Sequence, residues 1–144
     1  MGATESKPIF PAGKPTLVYW ELCGRGDIAK CLFYAGNIEF DLDTENANSW
    51  PAYKDQCPFG QIPVLKHGPV TLAQGGAINR YVARLAGLYP LDPVEASKCD
   101  MIMEECMEIF AGLFKVRSDG GLKFIFISFF IQTYKFYPSG EKRS

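Results

Sequence analysis

The sequence predicts an α/β fold: a four-stranded mixed sheet with flanking helices, followed by the start of an all-helical domain. Short β-prone runs and amphipathic segments follow one another in the order β-α-β and then β-β-α. A further helical pattern then begins at Asp92-Pro93, a pair that suits the cap and first turn of a helix. The 144 residues are enough to bury one hydrophobic core without disulfides or metals.

The first unit occupies about thirty residues, the length of a βαβ unit. Residues 16–20 are β-prone, and the alternation of apolar and polar residues over 38–42 predicts a second strand. Between them, residues 24–35 are predicted to form a helix that Gly36 ends. Its apolar face is predicted to consist of Ile28, Cys31, Leu32 and Ala35.

The second unit begins after a looser segment, in which Ser49 is predicted to cap a short helical turn containing Trp50, Pro51 and Tyr53. The run "QIPVLKHGPVTLA" predicts two strands joined at His67-Gly68-Pro69. Residues 74–86 then form the clearest predicted helix, which Gly87 ends. This order is the thioredoxin-like layout, and it predicts a polar leader (1–14), a thioredoxin-like domain (15–88) and a first helix of a helical domain (92–115).

Residues 116–144 form an atypical tail, because helical periodicity is lost after Lys115. Its run "FIFISFFI" has eight residues, far fewer than the roughly 20 that a membrane-spanning helix needs. We therefore expect a truncated gene product, for example one produced by reading into an intron. Transcript sequencing across this junction tests that hypothesis, and a dominant message encoding the tail would contradict it.

Charge and cysteine content exclude several classes of function. The 15 basic and 16 acidic residues are scattered, which argues against binding to nucleic acid or to an anionic membrane. The five cysteines show no CxxC spacing and there is one histidine, so no zinc-ligand pattern is present. Reduced thiols are typical of a cytoplasmic protein, which is the localisation we expect.

Three blocks of sequence resemble the N-terminal half of a glutathione transferase of the sigma-like class. They are "TLVYWELCGRGDIAKCLFYAG", "SWPAYKDQCPFGQIPVL" and "TLAQGGAINRYVARLAGL", and the match extends over residues 14–114. The resemblance implies a thioredoxin-like domain followed by a helical domain. It also implies glutathione as co-substrate without a metal, a small electrophile as second substrate, a role in detoxification, and a possible homodimer.

The resemblance also implies the roles of individual residues. Tyr19 matches the tyrosine whose hydroxyl donates to the glutathione sulfur. The other implied contacts are Trp50 and Lys54 at the glycyl carboxylate, Gln61 on the same wall, the Ile62 backbone and a cis Pro63 at the cysteinyl part, Gln74 and Gly75 at the γ-glutamyl end, and Asp100 reaching across a dimer. A phenol suits this chemistry because its pKa of about 10 keeps it a donor at neutral pH, where a thiol of pKa about 8.5 is mostly protonated.

The chain departs from the family's pattern in the first and third blocks. Gly75 replaces a serine, which removes one hydroxyl donor but keeps the backbone N–H. Gly26 stands where the family's run Gly-Arg-Ala-Glu has alanine. Cys23 replaces an arginine just before the predicted helix, where the pKa of a thiol is expected to be depressed.

Two alternative functions therefore stay open. In the first, Cys23 is the nucleophile of a glutathione-dependent thiol-disulfide oxidoreductase, whereas the simpler interpretation makes it a small filler. In the second, the chain is a non-catalytic glutathione-transferase-like module that binds another protein.

Overall fold

The computed structural model describes residues 10–50 and 52–119. Its helices and strands follow the predicted order, with a short additional helix after the second strand. They are β1 (Thr16–Val18), α1 (Asp27–Ala35), β2 (Asp41–Asp43), α2 (Thr44–Asn48), a 3₁₀ turn (Lys54–Gln56), β3 (Val64–His67), β4 (Val70–Ala73), α3 (Gly75–Leu85) and α4 (Pro93–Asp119).

The four strands form one mixed sheet in the order β2-β1-β3-β4. Strand β1 pairs with β2 in parallel and with β3 antiparallel, and β3 pairs with β4 antiparallel. A parallel pair needs a crossover, which α1 supplies, whereas β3 and β4 are joined by a tight turn in which Gly68 adopts φ +55°. The thioredoxin-like fold class is thereby confirmed.

Each face of the sheet carries its own hydrophobic cluster, because successive strand residues point to opposite faces. On one face, Leu17 and Leu65 pack with side chains from α1 and α3, including Phe33 and Ile78. On the other face, the cluster consists of Val18, Ala47, Tyr53, Cys57 and Val64. Helices on both faces leave the two ends of the sheet as the places where loops meet.

The predicted apolar face of α1 is right for Leu32, which packs against the core, and wrong for Cys31 and Ala35, which are exposed. Ala29 and Phe33 are the buried residues of the helix. Phe33 is completely buried and stacks on Phe40, with ring centroids 4.4 Å apart and an interplanar angle of 13°. This aromatic partner follows the helix and is separated from Phe33 by a turn, so the pattern within the helix could not reveal the pairing.

A turn does begin at Ser49, since its carbonyl accepts the Ala52 N–H at 2.9 Å, but the prediction that Ser49 is an N-terminal cap is wrong because a helix lies before it. The Asp43 side chain accepts the backbone N–H of Asn46 at 3.0 Å and so caps α2. Ser49 is the C-terminal cap instead, and its hydroxyl donates to the Asn46 carbonyl at 3.0 Å. Tyr53 then precedes the 3₁₀ turn as its N-terminal cap.

The part of the leader nearest the domain is anchored to it by a buried histidine. His67 is 2% exposed, and its Nε2 lies 3.0 Å from the Gly13 carbonyl oxygen while its Nδ1 lies 2.9 Å from the Tyr81 hydroxyl. Because a carbonyl oxygen only accepts, Nε2 is the donor of the first bond. Phe10 packs edge-on against Tyr81, so residues 10–14 are less loose than the sequence predicts.

The last helix begins as predicted. The Asp92 carboxylate accepts the backbone N–H groups of Val94 and Glu95 at 3.0 and 2.9 Å. Helix α4 continues to Asp119, four residues beyond the predicted end at Lys115, and the rest of the tail lies outside the described residues. The chain divides into two compact units, Met1–Lys98 and Cys99–Ser144. Among the described residues, no helix has both the length and the apolar content needed to cross a membrane.

Candidate functional site

The register of the sheet brings three of the proposed site residues to one end. Val18 lies opposite Val64, and Val64 lies opposite Ala73. The residues next along each strand, Tyr19, Pro63 and Gln74, therefore leave the sheet at the same end. Helices α1 and α3 also begin at this end, and their first N–H groups favour negative charge there.

Tyr19 lies beneath the turn that leads into α1. Its side chain is 3% exposed, packs against Trp20 with ring centroids 5.6 Å apart, and runs close to Gly24 and Gly26. Burial raises the pKa of Tyr19, and the backbone N–H groups of Arg25 and Gly26 oppose that rise. The phenol therefore stays protonated, and able to donate, throughout the neutral pH range.

A charged pair stabilises this turn, and the sequence analysis did not predict it. Asp27 accepts the Gly24 N–H at 2.6 Å and pairs with Lys30, whose Nζ is 3.0 Å away. Lys30 also donates to the Trp20 carbonyl at 2.9 Å, and its Nζ lies 5.4 Å from the centre of the Tyr19 ring. An acid and a lysine three residues apart at the predicted start of α1 were the signal available in the sequence.

The expected depression of the Cys23 pKa does not occur. The thiol is exposed, and its pKa is raised, first through the neighbouring Asp27 carboxylate to which its S–H can donate and then through the negative charge of the same group. Burial raises the pKa of Asp27, but Cys23, the Gly24 N–H and Lys30 outweigh that effect, so its pKa is lowered. Asp27 therefore stays ionised and holds Cys23 in the less nucleophilic thiol form.

Trp50 and Lys54 lie on the α2 side of the sheet. Trp50 is half-buried against the cluster that contains Val18 and Val64. Lys54 is exposed and passes over Gly60, where its Cε lies 3.3 Å from the position that a Cβ would occupy. Gly60 has φ +57°, so it provides both the left-handed turn and the space for the lysine.

The loop before β3 and the start of α3 complete the candidate site. Gln61 is exposed, Ile62 is half-buried, and the Ile62–Pro63 peptide bond is cis, as the resemblance implies. Gln74 is exposed and adopts φ +70°, a conformation that is unfavourable for a residue with a side chain. Such strain clusters at binding sites in proteins, and Gln74 is followed directly by the buried Gly75.

One proposed residue stands apart in the chain, since Asp100 lies on α4 within the second compact unit. Its role across a dimer stays a prediction. The described residues contain no group of three or more His, Cys, Asp or Glu side chains placed to hold a metal ion.

Two open depressions of about 430 and 350 Å³ lie at the opposite end of the sheet. Both include Lys14, which precedes β1, and Glu39, which precedes β2. Neither contains any of the proposed site residues. We place the candidate site at the Tyr19 end because the polar donors and the helix N-termini meet there.

Comparison with known proteins shows the family. The family described as "Glutathione S-transferase, N-terminal domain" matches residues 15–84, which include β1 and Tyr19, the cis Pro63 and nearly all of α3. Residues 15–84 belong to the N-terminal domain of the glutathione S-transferase family. The sigma-like class in particular is a finer prediction that this match does not test.

Individual relatives agree with this assignment. Glutathione S-transferase 1 of Ascaris suum is 34% identical over 97 residues, which are 67% of this chain and 47% of the relative. The crystal structure of the glutathione S-transferase from Ascaris lumbricoides superposes with a TM-score of 0.65 at 31% identity, covering 74% of this chain and 54% of that one. Monomeric Na-GST-3, from the hookworm Necator americanus, gives 0.62 at 27% identity, covering 74% and 53%. The chain thus spans about half the length of these glutathione S-transferases.

Proposed function

We propose that the chain binds glutathione at the Tyr19 end of its sheet and transfers it to small electrophiles. The observation that supports this best is the placement of Tyr19, a buried and protonated phenol beside the first turn of α1. A phenol that donates to a sulfur anion favours the thiolate over the thiol. The helix N-terminus favours the same charge.

The reaction is a nucleophilic substitution or addition by the glutathione sulfur. The thiol first loses its proton to solvent, and Tyr19 stabilises the resulting thiolate through its O–H. The sulfur lone pair then forms a bond to an electrophilic carbon. In a substitution the leaving group departs with the electron pair of the broken bond, and in an addition that pair moves onto the electrophile and is protonated. The thiolate is the reactive form, so its population sets the rate at neutral pH.

The remaining site residues match the polar ends of glutathione, which carries two carboxylates and one ammonium group. Lys54 and the Trp50 indole N–H suit the glycyl carboxylate, and Gln61 extends the same wall. The Ile62 backbone beside Pro63 suits the cysteinyl part by strand-like pairing. Gln74 and the Gly75 N–H suit the γ-glutamyl end, and Asp100 of a second copy completes it in a dimer.

Retention on immobilised glutathione tests the binding step. The purified chain should be retained and then eluted by free glutathione. Elution by salt alone, or no retention, would contradict the proposal. Conjugation is then measured with a chloronitrobenzene-type electrophile.

Replacing Lys54 tests the carboxylate anchor. Lys54→Met keeps the apolar stem over Gly60 and removes the charge, so it should weaken glutathione binding about tenfold through loss of one charge-assisted hydrogen bond. Calorimetric titration with glutathione measures this. Lys14→Met is the matched control, since Lys14 pairs with Asp41 at the opposite end of the sheet and should leave the affinity unchanged. Equal glutathione affinities in the original protein, Lys54→Met and Lys14→Met would show that Lys54 does not contribute to binding.

The oligomeric state is a separate proposal. A homodimer would be two-fold symmetric and would bring Asp100 to the partner's site. Na-GST-3, by contrast, is described as monomeric. We expect sedimentation equilibrium to give the mass of a dimer at micromolar concentrations, and a single species of 16.0 kDa would contradict the dimer. The proposed setting is glutathione metabolism and detoxification in the cytoplasm.

The two alternatives have less support. A thiol-disulfide oxidoreductase would need a reactive Cys23, but Asp27 raises the pKa of that thiol. A non-catalytic module would not need a protonated, buried phenol at the helix N-terminus or the strained Gln74 beside it.

A further inference from the structure

We propose that Gly26 is a positioning residue that lets the Tyr19 ring withdraw beneath the first turn of α1, away from a bound thiol. This inference rests on the proposed function, because it concerns the same hydroxyl and sulfur. In this proposal, the absence of a side chain at residue 26 determines how deeply the proposed catalytic Tyr19 is buried.

The Tyr19 ring occupies the space that a side chain at residue 26 would need. An ideal Cβ on Gly26 would lie 2.5 Å from Cδ1, 2.6 Å from Cγ and 3.0 Å from Cε1 of Tyr19. Ordinary contacts between carbon atoms are about 3.5–4.0 Å. The nearest atoms belong to the base of the ring, which is attached to the backbone through Cβ, so rotation of the ring tip cannot relieve the collision.

Space, and not backbone conformation, is what glycine supplies at this position. Gly26 caps α1 with φ −88° and ψ −10°, a right-handed conformation that alanine adopts without strain. Gly24 lies at the other end of the ring, where a Cβ would collide with the Tyr19 hydroxyl oxygen. The two glycines therefore flank the whole length of the ring on the side of the turn.

An alanine at residue 26 would force the Tyr19 ring and the turn apart. The other sides of Tyr19 are occupied by the cluster that includes Leu17, Ala29 and Phe33, and by the neighbouring Trp20. A separation larger by about 1 Å restores normal contact. In this proposal the ring takes up the movement toward the side from which a thiol approaches, because the packed cluster resists it elsewhere. The present sequence thus holds the phenol deeper than an alanine-containing turn would permit.

Gly26→Ala tests this inference without requiring glutathione. Burial is the first cause of the raised pKa of Tyr19, so a less buried phenol should titrate closer to the ordinary value of about 10. Ultraviolet absorbance is titrated for the original protein and for Gly26→Ala, and again for each of them carrying Tyr19→Phe. Subtracting the Tyr19→Phe curve from its parent curve leaves the titration of Tyr19 alone. An unchanged or higher titration midpoint in Gly26→Ala overturns the proposal.

The second measurement follows the bound sulfur. The ultraviolet absorbance of the thiolate gives the pKa of bound glutathione, which should fall in Gly26→Ala, and each unit raises the conjugation rate below that pKa about tenfold. A bound thiol with an unchanged or raised pKa overturns the proposal even if the phenol becomes more acidic. If none of the proteins binds glutathione, the proposed function fails, and the phenol titration alone decides whether Gly26 sets the depth of Tyr19.

A double variant covers the case in which Gly26→Ala does not fold. Tyr19→Ala removes the ring, so adding Gly26→Ala to it should not lower the midpoint of thermal unfolding. If Gly26→Ala lowers the midpoint of thermal unfolding as much without the Tyr19 ring as with it, the collision involves other atoms and the proposal is overturned.

Discussion

Tyr19→Phe should lower the rate of glutathione conjugation about ten- to a hundredfold near pH 6.5 and leave it nearly unchanged at strongly alkaline pH. The substitution removes one O–H donor and keeps the ring that packs beneath the α1 turn. Without the donor, the pKa of bound glutathione should rise toward the free value of about 8.5, and each unit costs about 1.36 kcal/mol, or tenfold in thiolate, below that pKa. Above both pKa values the thiol is fully ionised in either protein, so the difference disappears. The pH dependence of kcat/KM measures this.

The natural comparison for this prediction is Tyr34→Phe. Tyr34 also lies on α1 but is 74% exposed, so removing its hydroxyl should leave both the rate and its pH dependence unchanged. Cys23→Ser separates the two chemistries, because it should leave conjugation nearly unchanged and abolish any reduction of a glutathione mixed disulfide. If Cys23→Ser removes both activities while Tyr19→Phe removes neither, the cysteine mechanism is correct and the tyrosine mechanism is wrong.

The elements that were predicted well from the sequence are those with clear turn or capping residues at their ends. The β3–β4 hairpin follows from Gly68, α3 ends one residue earlier than predicted, near Gly87, and α4 begins after Asp92. Helix α2 was missed because five mostly polar residues contain a single buried one, Ala47, and no periodicity can be read from them. The buried Phe33 of α1 was missed because it is held by Phe40, a contact between side chains of different segments.

The candidate site likewise has residues that could be predicted from the sequence and contacts that could not. The resemblance to glutathione transferases implied Tyr19, Pro63 and Gln74 as site residues. The register of three strands explains why residues so distant in sequence reach one end of the sheet. The close approach of Tyr19 to Gly26 could not be predicted, because it depends on how deeply one ring lies below a turn. The effect of Asp27 on Cys23 likewise depends on distance, and it reverses the pKa shift that the helix N-terminus suggested.

A buried amide on α3 was also absent from the sequence predictions. Asn79 is completely buried, and within the described residues neither Nδ2 nor Oδ1 has a hydrogen-bond partner. Its neighbour Ile78 and the next buried residue of the helix, Val82, are apolar. Removing an amide from water without replacing its hydrogen bonds costs about 1–3 kcal/mol, which is a large part of the stability of a domain this size.

Asn79→Leu should therefore stabilise the chain, by about 2 kcal/mol if the added methyl groups fit without strain. Leucine branches at the same carbon as asparagine and replaces the unpaired amide with apolar surface, so it turns a desolvation cost into a hydrophobic gain. Chemical denaturation gives the change as a higher midpoint with an unchanged slope, since the surface exposed on unfolding stays nearly the same. Asn48→Leu, at an exposed residue of α2, is the matched control and should change stability by less than about 0.5 kcal/mol. A destabilised Asn79→Leu would mean that the amide contributes bonds in solution, through water or the remaining chain, and that its burial is not a net cost.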